Sequence, residues 1–372
     1  MSSLHVDILW ELVSFETVTP NGREAIDYCS SFLQARGFVC RDFNFNGVHN
    51  LYARFGVFKK NLCFAGHVDV VPPGDGWAVP PFCLTEKNGN FYGRGANDMK
   101  GPLAACLAAI SDFVNERPNI SLSLMLTSDE EVMGGNGTKK LVTELLPQGE
   151  EITGCILCES CSPHITSGSY IKIGCRGSLN VDFVSQGAQV HVVNGKILGN
   201  HIQRFISFLH EFLNIQLDSG SSEFPASSME ITSIDVANIT RNVIPSVATA
   251  KINIRFNNLW NFEKLEQFIR ERIPKNVTVS FERFENPTIC SDQNFIHLIS
   301  ESITKSSGYK PEIGSLGGNS DAIYIKKITN VVEVGSPISG AHIVDEYISA
   351  EDLRLLRKIY YDIMVNFENH YR

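Results

Sequence analysis

The feature that most constrains this chain is an alternation of helical and strand patterns that breaks off near residue 177 and resumes near residue 290. Apolar residues at helical spacing predict helices from Leu4 to Phe15 and from Glu24 to Arg36, the second stopped by Gly37. Strands are expected from Phe38 to Phe45, Leu51 to Phe55, Leu62 to Gly66, Ile120 to Thr127 and Cys155 to Cys158. The Ala- and Leu-rich stretch from Pro102 to Asn115 and the segment from Thr138 to Leu146 read as helices. This order specifies an α/β layer fold, with helices covering a mainly parallel sheet.

Between residues 177 and 289 the order becomes strand, helix, strand, strand, helix, strand. The segments are Ser178 to Val184, a long helix from Ile197 to Leu213, Ser227 to Val236, Val247 to Phe256, Phe262 to Arg272 and Val277 to Phe284. That is the split βαβ order of a ferredoxin-like α+β domain. A helix from Asn294 to Ile303, a buried strand from Asn330 to Val334 and a closing helix from Ala350 to Phe367 then restore the first pattern. Ser349 and Asp352 form a capping-box-like start for the last of these. The expected organisation is thus 1–176 and 290–372 as two parts of one domain, with 177–289 inserted.

Composition narrows the function. The chain has 372 residues, a net charge of −9 and no long basic run, which argues against nucleic acid as a partner. No apolar run reaches the roughly eighteen residues of a membrane span, and Asp7 and Glu11 interrupt the N-terminal apolar residues. A soluble cytoplasmic protein is expected. Ten cysteines in a chain of this length are too sparse for a secreted disulfide framework. Cys155, Cys158 and Cys161 lack a second pair at zinc-ribbon spacing, so reduced, buried thiols are the simpler reading.

Chemistry-bearing residues follow the strands, where open α/β sheets place their ligands. His67 and Asp69 follow the strand ending at Gly66, on one side of an extended segment, where the Asp69 carboxylate can hold the second imidazole nitrogen. Asp129, Glu130 and Glu131 follow the strand ending at Thr127, and Glu159 follows Cys158. The loop Gly93-Arg94-Gly95-Ala96-Asn97-Asp98-Met99-Lys100-Gly101 precedes the Ala-rich helix, and its bland reading is a tight turn with Asp98 as N-cap. It lacks the dinucleotide fingerprint and the Gly-Lys-Ser/Thr of a nucleotide loop. Mixed nitrogen and oxygen ligands, His67, Asp98, Glu131 and Glu159, favour zinc, with manganese or cobalt as substitutes.

Two stretches, Phe64-Ala65-Gly66-His67-Val68-Asp69-Val70-Val71-Pro72-Pro73-Gly74 and the loop 93–101, resemble the bacterial succinyl-diaminopimelate desuccinylases of the dizinc aminoacylase and carboxypeptidase superfamily. Thr127 to Glu131, Arg176 to Leu179, Asn242 to Pro245, Gly317 to Asp321 and Gly340 to Ile343 continue the resemblance in order. It implies two Zn2+ per subunit bridged by Asp98, with His67 and Glu159 on one ion and Glu131 and His342 on the other. It further implies Glu130 as general base turned acid and Asp69 as the residue orienting His67. His191 corresponds to a lid histidine that reaches a partner subunit's site to meet the developing oxyanion, which implies a homodimer through the lid. Arg255 matches a carboxylate-binding arginine, with Lys172, Arg176, Asn242, Gly317 and Gly318 lining the same substrate pocket.

Two positions depart from that pattern. Cys175 and Ile323 stand where the resemblance leads one to expect arginines, removing two cations from a site for a polyanionic substrate. The implied reaction is hydrolysis of N-succinyl-L,L-2,6-diaminopimelate to succinate and L,L-diaminopimelate, within diaminopimelate and lysine biosynthesis. An acetylornithine-type deacetylase or a dizinc carboxypeptidase would share the core. A noncatalytic, metal-stabilised binding protein is the reading from a different class, against which Glu130 stands as a base that a structural site has no use for.

Overall fold

A computed structural model of the chain describes residues 3–132, 135–164 and 166–371. The chain divides into two compact units, one running through Gly174 and resuming at Ile289, the other Cys175–Thr288.

The first unit is built on an eight-stranded sheet in the order Val39–Phe45, Val48–Phe55, Ser121–Thr127, Asn61–His67, Gly154–Leu157, Val331–Glu333, Tyr170–Lys172, Glu312–Gly314. The four central strands are mutually parallel. The edges bring in antiparallel pairings, so the sheet is mixed, with the expected parallel character confined to its centre and one outer pair. Every residue of Asn61–His67, Ser121–Thr127 and Gly154–Leu157 is buried, as parallel strands covered on both faces require. The helix Lys100–Val114 is buried almost all round and packs against both Leu4–Ser14 and Ala350–Tyr371, which explains its lack of a polar face. The capping reading at the last helix holds: Asp352 N–H donates to Ser349 Oγ (2.9 Å), whose hydroxyl donates back to the Asp352 carboxylate (2.6 Å).

A small antiparallel sheet of Thr85–Lys87, Asn90–Tyr92 and Tyr347–Ser349 brings the C-terminal segment against the strand that leads into the Gly93–Asp98 loop. All four central strands of the main sheet run the same way. Their C-terminal ends therefore release His67 to Asp69, Ser128 to Glu131, Cys158 to Glu159 and Val334 to Gly335 at one edge.

The second unit is a four-stranded antiparallel sheet in the order Ser228–Asp235, Val247–Phe256, Gly177–Gln186, Val277–Glu285. Leu179, Val181 and Phe183 alternate with Asn180 and Asp182, and their apolar face packs on Phe205, Phe208, Leu209 and Phe212 of one helix and Leu265 and Ile269 of another. The long helix expected from Ile197 to Leu213 is instead broken into Gly195–Leu198 and His201–Leu213. Gly199 takes a φ of 82°, and the Asn200 side chain caps the second segment by accepting from Ile202 N (3.0 Å) and Gln203 N (3.3 Å).

All ten cysteines are free thiols, and none pairs with another as a disulfide. No helix among the described residues is long and apolar enough to cross a membrane.

Candidate active site

The strand-end residues converge within the first unit. Among the described residues, His67, Asp98 and Glu131 form a group whose ligand atoms all lie within 4.8 Å of one another. His67 Nε2 stands 3.5 Å from Asp98 Oδ1 and 3.7 Å from Glu159 Oε2. His342 Nε2 lies 3.0 Å from one Glu131 oxygen and 3.4 Å from Asp98 Oδ2, so Asp98 faces both imidazoles. The C-terminal segment supplies His342 from a left-handed backbone position, φ 61°.

This geometry asks for a cation. His67 Nδ1 lies 2.9 Å from the Asp69 carbonyl oxygen, which can only accept, so Nδ1 carries a proton and Nε2 is the nitrogen that presents a lone pair when the ring is neutral. Nε2 faces Asp98 Oδ1 and Glu159 Oε2, both buried and without a hydrogen-bond partner among the described residues. Three nitrogen and oxygen groups that turn toward one point, able to present lone pairs there once their protons leave, fit a metal ion of mixed nitrogen and oxygen preference.

The electrostatics agree. Burial disfavours a charged His67, yet Asp98, Glu159, Asp69 and Glu130 overcome it and hold the imidazole well above its ordinary range. Hydrogen bonds donated to the Asp98 and Glu131 carboxylates raise His342 to about 10. Burial, reinforced by Asp98, pushes Glu159 up. Burial likewise lifts Glu130 well above the carboxylate range; His67 opposes this, and Asp321, Glu131 and Asp98 add to it. An isolated cluster of this many acids is unfavourable unless positive charge enters it.

Asp69 acts differently from the expectation. Its carboxylate stays within ion-pair reach of His67 Nδ1 (3.6 Å) and also accepts from the backbone N–H of Glu130 (3.3 Å) and Glu131 (3.1 Å). The strand ends at His67, so the alternation that would place both side chains together stops one residue too early. The Asp69 carbonyl orients His67, and its carboxylate holds the turn carrying Glu130 and Glu131. Asp98 is likewise not the helix cap; Met99 takes that place without a side-chain bond, and the Asp98–Met99 peptide is cis. The Met99 side chain packs over Gly66, where a Cβ would come within 2.4 Å of Cε.

Lys172 is 4% exposed, pairs with Glu333 (2.9 Å) and donates to the Gly318 carbonyl (2.8 Å), while Ser320 Oγ donates to the other Glu333 oxygen (2.7 Å). It therefore braces the exposed Gly317-Gly318 loop from beneath. Ile323 is buried in the short helix Ala322–Ile325 and Cys175 is buried as well, so neither position supplies a cation where the resemblance leads one to expect an arginine.

The remaining candidates belong to the second unit. Val190–His191 pairs with Val243–Ile244, which sets the exposed His191 beside Asn242, whose carbonyl accepts from Val192 N (3.0 Å). His191 Nδ1 accepts from Val193 N (3.3 Å), leaving Nε2 as the protonated, donating nitrogen. Arg255 donates through Nε to Asn253 Oδ1 (3.0 Å), and Asn253 in turn donates to Asn180 (2.7 Å) and Ser178 (3.2 Å). Burial lowers the Arg176 pKa and the neighbouring Arg255 lowers it further, the mark of two guanidiniums gathered at one place.

Three acids escape a reading of the sequence: Asp321 as a buried titrating group, Glu333 beneath Lys172, and Glu346 under the Gly93–Asp98 loop. Asp321 accepts from Thr138 Oγ1 (2.6 Å), and burial raises it to about 7. Asp321 ends the Gly317 to Asp321 motif, but Glu333 and Glu346 carry no local signal, since Lys172 and the Arg94 to Asp98 loop that donate to them lie far away in sequence.

Comparison with known proteins adds a family. The family described as peptidase family M20/M25/M40 matches residues 63–366. The succinyl-diaminopimelate desuccinylase of Rickettsia bellii (strain RML369-C) is 38% identical over 382 residues, 98% of this chain and 97% of that protein. Its counterpart in Orientia tsutsugamushi (strain Ikeda) is 36% identical over 375 residues, 98% and 96% of the two chains. Among solved structures, an M20 family metallo-carboxypeptidase from Sulfolobus solfataricus superposes with a TM-score of 0.78 at 18% identity, covering 99% of this chain and all of that one (100%). A dinuclear metal-binding peptidase of the M20 family from Bacillus subtilis does so with a TM-score of 0.70 at 14% identity, over 97% and 96% of the chains. At those identities the two structures speak for the fold alone.

Proposed function

We propose that this chain, which belongs to peptidase family M20/M25/M40, is a metal-dependent amidohydrolase that converts N-succinyl-L,L-2,6-diaminopimelate and water to succinate and L,L-2,6-diaminopimelate. The observation that carries the reading is the convergence of His67 Nε2, Asp98 Oδ1 and Glu159 Oε2 on one point, beside the base candidate Glu130. Full-length relatives at 36% and 38% identity that bear the name of that activity support the choice of substrate.

His67, Asp98 and Glu159 would hold one zinc ion, and Asp98, Glu131 and His342 a second. Bound zinc supplies Lewis acidity toward the amide carbonyl and lowers the pKa of water. Glu130 takes the proton of the attacking water on its carboxylate and returns it to the leaving amine nitrogen. Asp69 keeps the Glu130 and Glu131 backbone in place for that transfer. In the role the resemblance implies, His191 reaches a partner subunit's site and donates through Nε2–H to the developing oxyanion, and Arg255 takes the distal succinyl carboxylate.

The partner reading is a homodimer formed through the second unit, where Ser228–Asp235 is an edge strand and Ile234 is exposed. The cytoplasm is the compartment that suits ten free thiols and a biosynthetic reaction.

The test is turnover of matched N-succinyl and N-acetyl substrates by zinc-loaded and cobalt-loaded enzyme, with metal counted per chain. Preference for the succinyl substrate with two ions per chain is expected. Preference for the acetyl substrate would move the protein to the deacetylases, and a single ion at full activity would remove the dinuclear arrangement.

A further inference from the structure

Glu346 is fully buried, and its carboxylate is saturated by donors from one loop. Oε2 accepts from Arg94 Nη1 (2.7 Å) and Gly95 N (2.9 Å), and Oε1 from Asn97 N (2.8 Å) and Asp98 N (2.9 Å). The loop so held carries Asp98, and Glu346 itself lies four residues after His342. Arg94, 2% exposed, also donates to the Ile343 carbonyl (3.2 Å), beside His342. Gly93 N donates to the Glu346 carbonyl (2.9 Å), which extends the pairing of Tyr92 with Tyr347 up to the site. One carboxylate thus ties together two segments that each bring a ligand candidate.

We infer that Glu346 is a positioning residue that fixes Asp98 relative to His342 and so sets the affinity of this site for metal. The inference rests on the metal-site reading above. The physical reason is pre-organisation. Asp98 must face two imidazoles at once, and a loop free to shift would lose one of them. A carboxylate accepting four N–H groups from Arg94, Gly95, Asn97 and Asp98 allows the loop one conformation. Arg94 and the aligned amides offset part of the cost of burying that charge.

The experiment measures zinc affinity by chelator competition and the visible spectrum of cobalt-loaded protein. Glu346→Asp retains the charge facing Arg94 but shortens its reach, and zinc affinity should fall about tenfold to a hundredfold, the usual cost of losing a group that orients ligands. A second pair is made in an Arg94→Met background, where no buried cation is left unpaired. There Glu346→Gln keeps an acceptor for the Asn97 and Asp98 amides, and Glu346→Leu keeps none. The Gln variant should bind zinc more tightly than the Leu variant, and its cobalt spectrum should stay closer to that of the parent. Equal affinities for that pair, or parental affinity in Glu346→Asp, would overturn the inference. If the parent protein itself binds neither zinc nor cobalt, the metal-site reading falls instead, and that outcome is read on the parent alone.

Discussion

The two sheets handle burial in opposite ways. In the first unit Asn61–His67 and Ser121–Thr127 are buried on both faces, and polarity is expelled to the strand ends. In the second unit Gly177–Gln186 and Val247–Phe256 alternate buried with less buried residues, and polarity is spread over one face. A two-sided parallel sheet concentrates its charged groups at one edge, where low dielectric and close approach shift their protonation. A one-sided antiparallel sheet leaves its Asn and Arg side chains half-buried, suited to binding an anion and poorly suited to moving a proton. Under the proposed function, chemistry falls to the first unit and selection of the substrate to the second.

The strongest challenge to that division is Glu130→Gln. An amide of the same shape cannot take a proton from water, so turnover should fall roughly a hundredfold to ten-thousandfold with metal content unchanged. Metal analysis beside kcat checks this, and loss of metal would make Glu130 a ligand. The counterpart in the second unit is Arg255→Ala. It should lower kcat/KM for a succinylated substrate by about tenfold to a hundredfold, the worth of one charged hydrogen-bond pair, and leave an acetylated substrate nearly untouched. Equal losses on both substrates would make Arg255 a support of its own sheet and erase the contrast between the units.

Stability offers a finer test. Asp321 is buried in the first unit with its pKa raised from 3.8 to about 7. A raised folded-state pKa contributes stability that is full below the unfolded value and disappears as pH rises through the folded one. In metal-free protein, Asp321→Asn should therefore gain on the parent as pH rises from about 5.5 to 8.5, by about 2 kcal/mol in urea unfolding. A pH-independent difference would show that the carboxyl does not titrate there. The smallest effect expected is at the helix break of the second unit. Asn200→Ala removes the cap from His201–Leu213 and should cost about 1 kcal/mol at every pH, with activity per folded molecule retained.

The strand-end logic of the first unit was legible in one dimension. Apolar runs ending at Gly66, Thr127 and Cys158, each followed by His or acid, announce a buried sheet with charge at its rim, because period and composition are local properties. The alternation through Gly177–Gln186 and Val247–Phe256 was equally local, and so was the order of elements in the second unit. The break before Asn200 carried its own Gly-Asn signal, obscured by the apolar residues on either side.

What tertiary structure alone decided is which partner each polar group finds. Lys172 reads in sequence as a cation for substrate, yet Glu333, 161 residues away, takes its charge. Asp69 reads as the partner of His67, yet the ends of two neighbouring strands also turn its carboxylate to the amides of Glu130 and Glu131. Glu346 carries no local signal, yet it accepts from four donors in a loop some 250 residues earlier, at separations of 248 to 252 residues. A hydrogen bond or ion pair depends on distances of a few tenths of an ångström between segments remote in sequence, and no local periodicity encodes that separation. Composition and spacing therefore determined the layers and the kinds of ligand, and packing determined the pairing.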